Sequence, residues 1–324
     1  MTWVFGEVRA AQPLGTSAVL SAGRGSLLPI ALVFAVAACG ANPGGPAPTN
    51  PAESSGNIPT EQAAPATPRS SIRSAQPTIA PGPAEIWQPQ PRVTWQWQLT
   101  GEIDAALDVQ MYDVDLFATP ASTIAALHAG GFVVVCYLSA GTYEPWRPDS
   151  GDFRPEEFGR ALEDWPDERW LDTRSPAVRS AMLARLDLAV TRGCDGVEPD
   201  NIDAYQNDSD LDLSRADAID YLRFLAREAH ARRLSIGLKN GLDLIPGLIG
   251  EFDWALNESC LAYDECGALL PFIDAGKAVF HVEYVDDLGD IAARAAEICG
   301  NQRIEGFSTL VKEWDLGVER GSCH

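Results

Sequence analysis

From Val93 to the C-terminus, short apolar runs alternate with helix-periodic segments, and that alternation leaves few folds open. The runs lie near Val109–Tyr112, Phe132–Leu138, Trp170–Asp172, Gly196–Asp200, Ser235–Lys239, Trp254–Glu258, Ala278–Tyr284 and Gly306–Val311. Between them, Pro176–Thr191, Ser214–Arg232 and Leu288–Cys299 carry apolar residues at three- and four-residue spacing, the period of a helix with one buried face. Eight strands with crossovers in this length predict an α/β fold, a (β/α)8 TIM barrel. An open doubly wound sheet is the alternative. Against it, Asp113-Val114-Asp115-Leu116-Phe117 stands after the first strand, where a Gly-rich phosphate loop belongs.

In such a barrel the chemistry collects at the C-terminal strand ends. The fourth run breaks into carboxylates at once, Gly196-Val197-Glu198-Pro199-Asp200-Asn201, and strand alternation points Glu198 and Asp200 to one side. The other ends supply Asp113 and Asp115, Tyr137 and Ser139 followed by Tyr143, Lys239-Asn240, Asn257-Glu258, His281, Glu283 and Tyr284, and Lys312. A mouth lined with acids and aromatic rings suits a sugar. Plainer roles compete with this: Asp200 or Asn201 as a helix cap, Asp113 and Asp115 as turn residues, Lys239 as the structural partner of Glu198, His281 as a core histidine. Trp95-Gln96-Trp97-Gln98 alternates like an edge strand that closes the barrel floor or rim. Asn207 to Asp212 resembles a calcium loop but lacks the Gly and final Glu of an EF-hand, so it reads as a solvated loop leading to a Ser214 cap.

Charge narrows the partners. The chain has 24 Lys and Arg against 46 Asp and Glu, and its first 92 residues hold only 5 and 4 of these. The folded part is therefore strongly acidic, which excludes nucleic acid and favours a cationic ligand.

The N-terminal third reads as an export leader. Leu27–Ala38 is apolar but too short for a membrane span, and Val36-Ala37-Ala38-Cys39 resembles a bacterial lipobox whose cysteine is lipidated. The organisation expected is a signal peptide over 1–39, a disordered Pro/Ala/Ser-rich tether over 40–92, and the barrel over 93–324. The product would be a cell-surface lipoprotein held to the membrane through Cys39. Six of the seven cysteines remain beyond it. Cys260 and Cys266 can close a small loop and Cys299 and Cys323 can pin the C-terminus, while Cys136 and Cys194 are as readily buried thiols as a bridge. No Cys or His spacing suggests a metal, and no cofactor is called for.

Several of these segments together resemble glycoside hydrolase family 114, the endo-α-1,4-polygalactosaminidases. They are Trp95–Leu99, Tyr112–Phe117, Cys136–Glu144, Gly193–Tyr205, Gly237–Asn240, Asn257–Cys260 and Gly306–Thr309. The resemblance implies a barrel enzyme acting on an α-1,4-linked galactosamine polymer, a cationic polysaccharide. That family is in turn distantly similar to barrel α-galactosidases, whose nucleophile ends strand four in an Asp-Asn pair and whose acid/base ends strand six. Carried over, this makes Asp200 the nucleophile and Glu258 the general acid/base, with a Glu258 pKa raised by burial or a neighbouring anion. Asp113, Asp115, Tyr137, Ser139, Tyr143, Glu198, Lys239, Asn240, Glu283 and Tyr284 would contact substrate, and the chain would act as a monomer. A binding barrel without catalysis and a metal-assisted hydrolase are the rival readings.

Overall fold

The computed structural model describes residues 85–323, so the expected leader, Cys39 and the tether as far as residue 84 lie outside it. Eight parallel strands curl in chain order: Trp95–Gln98 (β1), Met111–Asp115 (β2), Val133–Ser139 (β3), Gly196–Asp200 (β4), Ser235–Lys239 (β5), Trp254–Glu258 (β6), Val279–Val285 (β7) and Ser308–Glu313 (β8). Gly321–Ser322 adds a short antiparallel strand beside β8. Where the curled sheet returns on itself, the Trp95 indole donates to the Ser308 carbonyl at 2.9 Å and Leu99 N–H to Leu316 O at 3.0 Å. Helices Ala121–Ala129 (α1), Pro176–Arg192 (α2), Arg215–Ala231 (α3), Ile245–Leu248 (α4), Leu270–Asp274 (α5) and Ile291–Ile298 (α6) fill the crossovers from β2 to β8.

Strand alternation sorts the side chains into two cores. Outward residues such as Val134, Leu138, Val197, Ile236 and Leu238 pack under the helices. Inward residues Trp95, Trp97, Met111, Val135, Trp254, Leu256, Phe280, Val282 and Leu310 fill the interior. At Gly237, which lies against the Trp254 indole, a Cβ would fall 2.1 Å from the ring, so the interior packing there requires glycine. Further along the same strands the inward positions turn polar, and this change from apolar floor to charged mouth places the site.

The strand count agrees with expectation but one member does not. Arg169–Leu171 pairs antiparallel with Thr142–Tyr143 and Phe158–Ala161 in a separate small sheet after β3, so the Trp170 run is no barrel strand. Its place is taken by β1: Trp95 and Trp97 are inward wall residues. Both runs are short and aromatic, and only pairing separates them. Helix ends follow their caps. Ser175 accepts from Ala177 N–H ahead of Pro176, and Ser214 with Asp217 forms a capping box, so α3 starts at Arg215. The expected helix over 288–299 is α6 preceded by a 3-10 turn at Leu288–Asp290.

The barrel also begins earlier than Val93. Trp87 stacks on Phe280 with ring centres 6.5 Å apart, and Pro89 O accepts the Ala278 N–H, so residues 85–92 belong to the fold and not to the tether. All six described cysteines are bridged: Cys260–Cys266, Cys299–Cys323, and Cys136–Cys194, the pair the sequence left open. The last spans 58 residues, including the small sheet. Closing a loop of that length in the unfolded chain is worth about 4 kcal/mol on the chain-entropy account. Among the described residues no helix is long and apolar enough to cross a membrane.

Candidate active site

Lys239, at the inward end of β5, is the hub. Its ammonium lies 2.8 Å from Glu198, 3.1 Å from Asp200 and 3.2 Å from Glu258, and 4.6 Å above the Trp97 ring. The sequence offered Lys239 either as a partner of Glu198 or as a ligand group; the structure makes it the shared cation of three acids. Burial opposes its charge, but the surrounding carboxylates, Asp200 foremost, hold its pKa well above the ordinary value. Trp97, expected only to close the barrel floor or rim, is the apolar floor beneath it.

The carboxylates differ in depth. Glu198 and Asp113 have no exposed surface, whereas the Asp200 and Glu258 side chains keep 17% and 26%. Asp113 is therefore no direct sugar contact but a buried neighbour of Glu198. If both were ionised, the two Asp113 oxygens and Glu198 Oε2 would be buried without partners. Burial and the Glu198 charge push Asp113 well up. Burial also lifts Glu198, against the pull of Lys239, to about 7. One proton, held by Asp113 and donated to Glu198, resolves the conflict.

Both exposed acids are clamped from behind by residues in left-handed conformation just past a strand end. Asn201 (φ 60°) donates its backbone N–H to Asp200 Oδ1 at 2.7 Å and its amide to Ser139 Oγ and Thr142 Oγ1. Gly141 admits this turn, since a Cβ there would fall 1.7 Å from Asn201 O. Asn240 (φ 48°) accepts the Glu258 N–H at 3.0 Å and donates to Glu258 Oε2 at 3.0 Å. Ser139, fully buried, thus supports the Asn201 turn behind Asp200 without lining the cleft, and half-buried Asn240 holds Glu258.

Glu258 departs from expectation. Burial pushes its carboxyl up, but the Lys239 ammonium, the Tyr284 hydroxyl and the Asn240 amide together hold it below the ordinary glutamate value. The Tyr284 hydroxyl donates to Glu258 Oε1 at 2.5 Å, and its ring stacks on Trp314 at 3.9 Å. Trp314, one residue beyond β8, is an aromatic that the strand-end reading passed over.

Other expected contacts are turned away or occupied. Glu283 neighbours Tyr284 on β7 and so faces outward; it accepts from Leu261 N–H, bonds His281 and pairs with Arg294. His281 is buried between Glu283 and Thr309, as a core histidine. Asp115 caps the N–H groups of Phe117 and Ala118 and pairs with Arg147 at 2.8 Å. Arg147 also grips Glu144, whose carboxyl burial raises to about 7. Tyr143 packs on Phe153 and Phe158 in the small sheet. Tyr137 remains half-buried in the cleft wall, 5.9 Å from the Lys239 nitrogen. Cys260, Cys266 and His281 come within 4.8 Å of one another, but the two sulfurs are bonded together and offer no thiolate.

With this geometry in view, the likenesses are informative. A model of the glycoside-hydrolase family GH114 matches residues 76–324. Ega3 of Aspergillus fumigatus, crystallised in complex with galactosamine, is 45% identical, spans 74% of this chain and 98% of its own, and superposes with a TM-score of 0.71. The glycoside hydrolase domain of PelA from Pseudomonas aeruginosa is 16% identical over 71% of this chain and 98% of its own, at a TM-score of 0.57, a likeness of fold alone. An uncharacterized protein of Deinococcus radiodurans is 27% identical over 239 residues, 64% of this chain and 77% of that one.

Proposed function

Because this chain belongs to the glycoside-hydrolase family GH114, we propose that it is an exported hydrolase cleaving α-1,4-linked galactosamine polymer, with Asp200 as nucleophile and Glu258 as general acid/base. One observation carries the residue assignment. Asp200 Oδ2 and Glu258 Oε2 approach the same Lys239 nitrogen at 3.1 and 3.2 Å, so these two oxygens are at most about 6.3 Å apart. Retaining glycosidases hold their carboxyls about 5–5.5 Å apart and inverting ones about 6.5–9.5 Å. Retention through a covalent glycosyl-enzyme is the course that a nucleophilic Asp200 entails.

In this scheme Asp200 attacks the anomeric carbon while Glu258 gives its proton to the departing oxygen, and Glu258 then takes a proton from the water that releases the sugar. Glu258 has a low pKa in the free enzyme, so the substrate must help to protonate it. A sugar covering its remaining exposed surface adds desolvation, which moves a carboxyl in the required direction. Asp113, Glu198 and Lys239 stay beneath as a fixed charge set. The galactosamine substrate is supported by the Ega3 likeness and by the acidity of the domain, which suits a cationic chain.

The test is hydrolysis of deacetylated α-1,4-galactosamine polymer by the full chain, with Asp200→Asn and Glu258→Gln made separately. Each is expected to lose cleavage by about 10²–10⁴-fold while keeping the fold. Proton NMR of the first product should show the α anomer. Cleavage that survives either substitution, or a β anomer appearing first, refutes the assignment.

A further inference from the structure

On the premise that the enzyme acts on galactosamine polymer, we infer that Trp314 forms the floor of a binding subsite for the sugar on the leaving-group side of the scissile bond. The proposal follows from an unbroken series of contacts. Glu258 is the residue assigned to protonate the leaving oxygen, Tyr284 donates its hydroxyl to Glu258 Oε1, and the Tyr284 and Trp314 rings lie parallel, 8° between their planes. Trp314 is thus linked to Glu258 through Tyr284 on β7, whereas Asp200 stands on β4, on the other flank of β6 in the strand order.

The indole is built to stay exposed. Tyr284 covers one face, the Nε1–H is anchored to Asp286 Oδ1 at 3.2 Å, and the residue as a whole still keeps 54% of its surface in solvent. Its loop is stiff. Leu316 O accepts from Leu99 N–H, Lys312 donates to Gly317 O at 2.6 Å, and Thr100 Oγ1 donates to Asp315 O at 2.8 Å. A large apolar ring fixed in place but half uncovered is a preorganised platform, and it pays little ordering entropy when a ligand lands on it.

Its surroundings select the occupant. Asp286, which holds the indole N–H, lies exposed beside the ring, so a ligand stacked there meets an anionic group at its edge. A galactose-type ring suits such a site, because its axial 4-oxygen leaves the hydrogens of C3, C4 and C5 on one apolar face. That face can lie on the indole while the 2-ammonium turns towards carboxylate or towards the π-face of a neighbouring ring.

The experiment measures binding of a short α-1,4-galactosamine oligomer to the full chain carrying Asp200→Asn, by calorimetry, and KM and kcat on polymer in the otherwise wild-type chain. Trp314→Ala is expected to weaken binding and raise KM by about tenfold or more, with kcat changed less than threefold; Trp314→Phe, which keeps a stacking ring, should stay within about threefold of the parent. An unchanged melting curve guards against misfolding. If Trp314→Ala binds and turns over within twofold of the parent, the subsite is refuted while the enzyme assignment stands. If the wild-type chain leaves the polymer intact, the premise fails and this inference with it.

Discussion

Replacing Lys239 by methionine tests the charge arrangement most directly, because it removes the one cation shared by Glu198, Asp200 and Glu258 while keeping most of the volume. The contacts are 2.8, 3.1 and 3.2 Å, and each is worth about 5–6 kcal/mol of attraction at an effective dielectric near 20. Most of that only offsets the cost of burying the ammonium. What the variant loses is compensation for the acids left behind, about 3–5 kcal/mol when one member of a buried ion pair is deleted. For a domain of this size that is a fall in Tm of about 6–20 °C. The pH dependence makes the test specific. In the wild type the Glu258 pKa is depressed, so its contribution to stability is present above the unfolded value near 4.5 and is lost as pH falls through the folded one. The deficit of Lys239→Met should therefore be largest at neutral pH and shrink as the acids take up protons towards pH 4. Thermal melts by circular dichroism at both pH values decide it. A neutral-pH loss below about 2 °C, or one that does not change with pH, refutes the reasoning.

Three further outcomes follow from the same site. Since the low Glu258 pKa belongs to the free enzyme, kcat/KM on galactosamine polymer should decline on the alkaline side from an acidic optimum, whereas the alkaline limb of kcat, which reports the bound state, should lie at higher pH; the reverse order refutes substrate-assisted protonation. Glu144 and Glu198, both raised to about 7, bind protons in the folded state that the unfolded chain releases near 4.5, so Tm should fall as pH rises across that window, and Glu144→Gln should flatten the slope. A wild-type Tm that climbs from pH 5 to pH 7.5 contradicts this. Asn240→Ala removes both bonds to Glu258 and should lower kcat by about 10–100-fold through about 1–3 kcal/mol of lost orientation, with KM nearly unchanged, as steady-state kinetics will show.

Beyond what the family resemblance implied for Asp200 and Glu258, the sequence by itself determined the barrel and the gathering of acids at its strand ends. Both depend on local signals: the period of apolar residues sets strand and helix, and a burst of carboxylates at the end of a short strand must lie at the mouth, since burying so many unpaired charges is too costly. It also placed Glu198 and Asp200 on one side, because alternation along a strand is a local property. Alternation likewise forbids Glu283 and Tyr284, neighbours on β7, from facing the same cleft, so the expectation that both contact substrate conflicts with a local property of the strand.

Only the tertiary structure decided the rest. Whether Trp95–Gln98 or the Trp170 run joins the barrel depends on which strand finds a parallel partner, and both are short aromatic runs. That Lys239 holds three acids at once, and thereby lowers Glu258 where burial alone would raise it, depends on distances of about 3 Å between residues on β4, β5 and β6, which no single segment encodes. Pairing Cys136 with Cys194, and setting Trp314 against Tyr284 at the edge of the cleft, are likewise products of packing between distant segments. Composition and period act along the chain, whereas charge and stacking act through space.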